Sequence, residues 1–212
     1  KFLRVEDNIS RLISFGTAIC GGSAIAALAP TIKAKQEEIA IALATVFTLN
    51  ALALFLFPLI GHSLGMSQES FGVWAALGIH DTSSVVGATS GYGQTALDIG
   101  VTVKLTRALW IIPFILLFSA LEGSEKKIKI PLFILGFILA SSLRSLLPQF
   151  ESCFNLIASA SKQLLVVTLF LIGSGLSRAV LKQVGAQPLI QGLLLWLTLS
   201  VATLVAVLSG IL

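Results

Sequence analysis

Charged side chains are scarce in this sequence, which has 14 Lys and Arg and 10 Asp and Glu among 212 residues. They make up 11% of the chain, less than half of the roughly 25% found in soluble domains. Because 56% of the residues are hydrophobic, so few charges cannot cover a soluble surface. The apolar runs have helical lengths and lack the alternation of barrel strands. The composition therefore indicates an all-α integral membrane protein.

Cysteine is nearly absent, and Cys20 and Cys153 lie far apart in apolar surroundings. This spacing provides no disulfide framework and no metal site. The sequence also lacks a phosphate-binding loop, an HExxH motif and paired carboxylates, and it has no basic patch interleaved with aromatic residues. We therefore expect no enzyme activity, no cofactor and no nucleic-acid partner.

The chain opens with KFLRVEDN, without an initiator Met or the apolar core of a signal peptide. We expect one transmembrane domain over 1–212 that is a fragment of a longer protein. The predicted segments are a broken helix over 12–34, a span over 39–60, a broken or re-entrant element over 71–93, and spans over 94–121, 131–147, 164–181 and 189–212. The 39–60 run is uncharged and contains one Asn, Asn50.

The polar run GIHDTSSVVGATSGYG, residues 78–93, stands out inside this apolar chain. It begins with two ionisable residues and three hydroxyl residues: His80, Asp81, Thr82, Ser83 and Ser84. A charge at membrane depth costs at least about 2.5–3.5 kcal/mol and usually marks a pathway. We predict that the ionisable pair binds a proton or sodium ion for coupling, and that the hydroxyl residues bind substrate. The alternative is that Asp81 only caps a short helix.

A second polar run, FGTAICGGS over residues 15–23, lies upstream, and we predict that the two runs meet near the middle of the membrane and form a transport site. Its glycines disfavour a continuous helix, since each costs about 1 kcal/mol relative to Ala in a helix interior. Helix N-termini bind anions, and transporters built from discontinuous helices use this device near the membrane centre. The residues of this run that this argument predicts to bind substrate are Gly21, Gly22 and Ser23. Close packing of helices through small residues is the alternative.

Lys104 and Arg107 lie one turn apart on a helix face and are candidates for charge compensation of an anionic substrate. Snorkelling to the membrane interface, or an ion pair with Asp98, is the favoured alternative. The 71–93 element is predicted to enter the membrane and turn back rather than to cross it. That arrangement places the basic clusters on one side, as the positive-inside rule favours; these clusters are Lys33 and Lys35, Lys126, Lys127 and Lys129, and Arg178 and Lys182.

Three stretches, residues 15–28, 78–93 and 104–114, resemble the YeiH-like family of proposed sulfate exporters. The resemblance covers essentially the whole chain and implies that family members carry further spans before the first motif, so that this chain is N-terminally truncated. The family is grouped with the bile-acid, arsenite and riboflavin transporter superfamily. This implies a polytopic bundle of two inverted repeats with discontinuous helices that cross. Carried over residue by residue, the resemblance also implies that Thr17 and Cys20 bind substrate beside Gly21 and Ser23.

We therefore predict a secondary transporter of a small anion, of the sulfate or organosulfonate type, that works by alternating access with proton or sodium coupling. Its expected location is the bacterial inner membrane as a multi-pass protein, with lipid and the anion as partners and homo-oligomerisation left open. Two alternatives remain: an uncoupled anion channel, and a membrane scaffold or sensor without transport.

Overall fold

The computed structural model describes residues 3, 5–121, 132–175 and 185–211. Over these residues the chain is helical and has no β-strand, which confirms the predicted all-helical class. In chain order the helices are α1 (Asp7–Ala18), α2 (Gly22–Leu28), α3 (Gln36–Ser63), α4 (Gln68–Gly78), α5 (Thr82–Ser90), α6 (Gln94–Ala108), α7 (Ile111–Leu121), α8 (Leu132–Leu146), a 3₁₀ turn (Pro148–Phe150), α9 (Glu151–Gly175) and α10 (Ala186–Leu208).

Three stretches of the described chain are long and apolar enough to cross a membrane: α3, α6 together with α7, and α10. They contain 28, 28 and 23 residues and reach about 42, 42 and 35 Å at 1.5 Å per residue. A hydrocarbon core is about 30 Å thick. The corresponding predicted spans are 39–60, 94–121 and 189–212.

The later helices differ from the predicted segments in their bounds. Helix α9 begins at Glu151, before the span predicted over 164–181, and includes the first part of that span. It continues without a break through Gly173 to Gly175. Helix α8 occupies most of the predicted 131–147 span. Two of the basic clusters named in the topology prediction lie outside the described residues. They are Lys126, Lys127 and Lys129, and Arg178 and Lys182.

Helices α1 and α2 form a hairpin, called the first hairpin, with its turn at residues 19–21. A Cβ atom placed on Gly16 of α1 would lie 3.0 Å from Cδ1 of Ile25 in α2, so the second arm returns alongside the first. At the open end, Asn8 Nδ2 donates to the Glu38 carboxylate at 3.1 and 3.2 Å. The start of α3 therefore lies beside the start of α1.

Helices α4 and α5 form the second hairpin, with its turn at residues 79–81. The Tyr92 ring, just beyond α5, stacks on Phe71 of α4 with a centroid distance of 3.7 Å. Tyr92 Oη also donates to the Met66 carbonyl oxygen at 2.8 Å. Because these contacts join the entry and exit of the segment, the chain leaves the hairpin beside the point where it enters.

Helix α3 passes both hairpins in turn. Its first turn lies at the open end of the first hairpin, where Glu38 accepts from Asn8. Its last turns lie at the open end of the second hairpin, where a Cβ on Gly61 would be 2.6 Å from the Phe71 ring. The two hairpins therefore start from opposite ends of α3, and their turns meet beside its middle.

Helix α10 runs beside α3 and touches both hairpins. Gln191 Nε2 donates to Ser10 Oγ of α1 at 2.7 Å, and Trp74 Nε1 of α4 donates to the Ser200 carbonyl at 3.0 Å. Helix α6 starts at the open end of the second hairpin, where Gln68 Oε1 accepts from the Thr95 amide at 3.1 Å. Three long helices thus enclose the two hairpin turns.

The packing of α4 against α6 depends on Gly72, where a Cβ atom would lie 2.8 Å from the Ala96 carbonyl oxygen. A backbone carbonyl cannot rotate away from the new methyl group as a flexible side chain can. We therefore expect Gly72→Ala to lower the free energy of unfolding by about 1–3 kcal/mol. The control is Gly136→Ala in α8, where no described atom lies within 4 Å of the new Cβ. Unfolding in mixed micelles, followed by circular dichroism, measures both; equal losses would contradict the prediction.

Candidate functional site

The turns of the two hairpins are in direct contact through Gly21. This residue has φ +59° and ψ −121°, a conformation that glycine adopts without the steric cost of a side chain. A Cβ atom on Gly21 would lie 3.2 Å from the His80 carbonyl oxygen and 3.3 Å from its Cβ. The absence of a side chain at Gly21 therefore lets the two predicted polar runs touch.

Asn50 connects α3 to the second turn. Its Oδ1 accepts from the His80 amide at 3.0 Å, and its Nδ2 donates to Asp81 Oδ2 at 2.7 Å. Asn50 follows Gln36 by 14 residues, about 21 Å along the axis, which is the middle of α3. It was not predicted as a site residue, although a lone amide inside an uncharged apolar run is a usable signal, because such groups bind other helices in membranes.

Asp81 is the N-cap of α5 and accepts four hydrogen bonds. Oδ1 accepts from the Ser84 amide and from Ser83 Oγ, both at 2.7 Å, and Oδ2 accepts from Ser84 Oγ at 3.0 Å and from Asn50. This pattern fits an ionised carboxylate, which has only acceptors. The predicted alternative role, helix capping, is thus present in the structure, and the coupling role stays a prediction.

His80 is 1% exposed, yet neither of its ring nitrogens has a hydrogen-bond partner among the described residues. The backbone of Val46 lies near the ring without meeting the distance and angle criteria of a hydrogen bond. A buried polar group without a partner is uncommon and calls for an explanation; His80 therefore has unused capacity to donate and accept at the hairpin contact.

Lys104 joins the two hairpins from α6 and is 0% exposed. Its Nζ donates to the carbonyl oxygens of Ile19 at 3.4 Å, Ala76 at 3.3 Å and Ile79 at 2.5 Å. Carbonyls at helix ends lack partners within their helix and carry the negative end of the helix dipole. Lys104 therefore satisfies backbone groups that both hairpin turns leave open.

Arg107, one turn after Lys104, has the same function at the adjacent carbonyls. In the first hairpin it donates to Ala18 O, from Nε at 3.1 Å and Nη2 at 2.6 Å, and to Thr17 O at 3.2 Å. In the second hairpin its Nη1 donates to Leu77 O at 2.5 Å. Two cations of α6 thus hold the C-terminal ends of α1 and α4 together.

The favoured prediction for this pair, snorkelling or pairing with Asp98, is wrong for Lys104, which is enclosed by protein and bonded to carbonyls. Helix geometry gives the reason. At about 100° per residue, Asp98 lies about 240° around α6 from Lys104 and about 180° from Arg107, and so on another face. Gln94 Nε2 donates to the Asp98 carboxylate at 2.9 Å.

The other predicted ligands are distributed unevenly around the contact. Thr17 and Cys20 are buried, at 5% and 4% exposure, and Thr17 Oγ1 has no described hydrogen-bond partner. Ser23 is exposed, while Gly22 and Thr82 are half-buried. Thr17, Cys20 and Gly21 are thus buried and Ser23 is not, and among these residues the contact with the second turn described above is made by Gly21. The described residues contain no cluster of three or more His, Cys, Asp or Glu side chains that could hold a metal ion.

Comparison with known proteins gives a consistent family relationship. Residues 1–192 match the family model described as Conserved hypothetical protein 698. The chain is 61% identical to a UPF0324 membrane protein of Geobacter sulfurreducens, with 97% of this chain and 66% of the relative covered. It is 55% identical to one from Vibrio vulnificus, with 96% and 68% covered.

A UPF0324 membrane protein of Bacteroides thetaiotaomicron is 52% identical, with 96% of this chain and 62% of the relative covered. The chain thus spans about two thirds of the length of the curated relatives that it matches. No solved structure matches the chain. The family match, the relatives and the three membrane-length helices agree: the chain belongs to the UPF0324 family of membrane proteins.

Proposed function

We propose that this protein is a secondary transporter of a small anion that works by alternating access. The observation that carries the proposal is the meeting of two hairpin turns beside the middle of α3, with Asn50, His80 and Asp81 buried at the contact. Irregular backbone at membrane depth is tolerated where protein or an aqueous cavity surrounds it. Such breaks at the centre are where transporters place their substrates.

The order of the elements supports a broken-helix, inverted-repeat architecture. A hairpin followed by a long helix occurs twice: α1 and α2 precede α3, and α4 and α5 precede α6 with α7. The first hairpin opens toward one end of α3 and the second toward the other. In this proposal both hairpins are re-entrant, one from each side of the bacterial inner membrane, so that a shift of either opens the contact to one side.

The charges at the contact favour an anion as substrate. Lys104 and Arg107 approach it from α6, while Asp81, the carboxylate that the described part of the chain places there, already accepts four hydrogen bonds. Sulfate and organosulfonates, which the resemblance to sulfate exporters implies, are the proposed substrates. His80, with its two unused nitrogens, and Asp81 are the proposed coupling residues for a proton or sodium ion. Lipid surrounds the bundle, and the proposal includes no enzymatic step.

The two histidines of the chain allow a matched test of this function. In proteoliposomes loaded with sulfate or an alkanesulfonate, we expect saturable counterflow of the labelled anion. His80→Gln should reduce its rate at least tenfold, because it alters the buried group at the hairpin contact. His62→Gln should change it less than twofold, since His62 is exposed and stacks on Tyr92 at 4.3 Å at the open end of the second hairpin.

The same assay separates the alternatives. An uncoupled channel would give single-channel currents and no stimulation of flux by anion on the opposite side. A scaffold or sensor would give neither flux nor current. Equal rates in the two histidine variants would remove His80 from the transport site.

A further inference from the structure

A cavity of about 330 Å³ lies beside the hairpin contact, within the roughly 300–1,000 Å³ range of small-molecule sites. Its walls come from the first hairpin, the end of α4 and the junction of α6 with α7. They consist of six apolar residues and one charged residue: Phe15, Ala18, Ile19, Leu77, Trp110, Phe114 and Arg107. Phe114 packs edge-on against Phe15 at 6.2 Å. The cavity is therefore mainly apolar and aromatic, with one cationic wall.

The charges around this cavity do not balance. Lys104 and Arg107 provide two positive charges, and their hydrogen-bond partners among the described residues are carbonyl oxygens. Arg107, the charged residue of the cavity wall, makes no hydrogen bond to a carboxylate among the described residues, and an unpaired charge away from water is costly. A ligand with a single negative charge would complete the balance.

From the cavity and its charge we infer the substrate class within the proposed function: an organic monoanion with a short apolar body, such as an alkanesulfonate, rather than inorganic sulfate. The apolar body occupies the space between the aromatic rings, and the anionic group faces Arg107. Sulfate has two charges and no apolar surface. It would therefore leave the aromatic walls of the cavity without an apolar partner.

Ligand-induced stabilisation measures this preference, because a ligand that binds the folded state raises the unfolding temperature according to its concentration and affinity. The purified protein in micelles is titrated with sodium 1-butanesulfonate, sodium sulfate, sodium chloride and 1-butanol at matched ionic strength. We expect a saturable rise with butanesulfonate alone. Sulfate, which has charge but no apolar body, and butanol, which has an apolar body but no charge, should not raise the unfolding temperature.

Substitutions in the cavity wall test whether the ligand binds in this cavity. Ala18→Leu fills part of the space and should weaken butanesulfonate binding at least tenfold. Ala26→Leu, an exposed alanine on the other arm of the same hairpin, should change it less than twofold. Phe114→Ala enlarges the cavity and should shift the preference toward hexanesulfonate, an effect that a loss of stability alone would not produce.

The inference is overturned if sulfate binds as tightly as butanesulfonate, if Ala18→Leu binds normally, or if phosphatidylglycerol displaces the sulfonate, which would identify a lipid site. Counterflow separates this failure from that of the proposed function. Exchange of sulfate without exchange of butanesulfonate would support the proposed transport function and contradict the inferred substrate class. Absence of binding and exchange for every anion would remove both.

Discussion

We expect Lys104→Met to lower the free energy of unfolding by about 3 kcal/mol or more and, under the proposed function, to abolish anion counterflow. The substitution removes the donor shared by the carbonyls of Ile19, Ala76 and Ile79. A buried acceptor left without a partner costs about 1–3 kcal/mol, and three are affected. Because these carbonyls belong to both hairpins, the loss also releases one turn from the other.

The control for this prediction is Lys33→Met, which removes an exposed lysine and should change stability by less than about 0.5 kcal/mol. Unfolding in mixed micelles and counterflow are measured on the same preparations. Lys104→Arg is a second comparison, since it keeps the charge but has to fit a larger group into a fully buried position. A Lys104→Met protein as stable as the Lys33→Met protein would show that the carbonyl contacts contribute little.

We expect the second large effect from Asp81→Ala, a loss of about 3–5 kcal/mol of unfolding free energy, because it removes one partner of a buried charged network. Four donors lose their acceptor, among them the Ser84 amide at the start of α5 and the amide of Asn50. Asp81→Asn should fall between wild type and alanine, because its amide keeps one acceptor but opposes the donor of Asn50.

Ser67→Ala is the matched cap control. Ser67 is the N-cap of α4 and accepts from the Ser70 amide at 3.2 Å, but it is exposed. Its loss should cost only about 1 kcal/mol, as for N-caps in general. Both variants are compared by denaturant unfolding followed by circular dichroism. Similar losses for the buried and the exposed cap would contradict the account of Asp81 as the acceptor at the centre of a buried network.

The class of fold could be predicted from composition, because a chain with so few charges must satisfy its backbone in helices within lipid. The two hairpin turns, at 19–21 and 79–81, also fall inside the polar runs that the sequence marks. That the two runs meet was also predicted, because both are polar breaks in an otherwise apolar chain. The pairing of Gly21 with His80 could not be predicted, since the two residues are 59 positions apart and no pattern in either run specifies which residues touch.

The site was predicted less completely than the fold. The hydroxyls of Ser83 and Ser84 were predicted as polar groups within an apolar chain. Their hydrogen bonds to Asp81 could not be predicted, because these bonds depend on the local geometry of the helix cap. The partners of Lys104 are carbonyls, which every residue carries, so no sequence pattern distinguishes them. Asn50 was visible as a lone amide, yet its role depends on which turn lies beside the middle of α3.

Helix α6 has a mechanical consequence for any solute that passes between the hairpins. Lys104 and Arg107 each donate to both hairpins from one rigid segment, so the tips cannot part while all these bonds persist. Separation on either side must transfer at least one hairpin's carbonyls to water or to the solute itself. Any movement of either hairpin would therefore be a movement relative to α6.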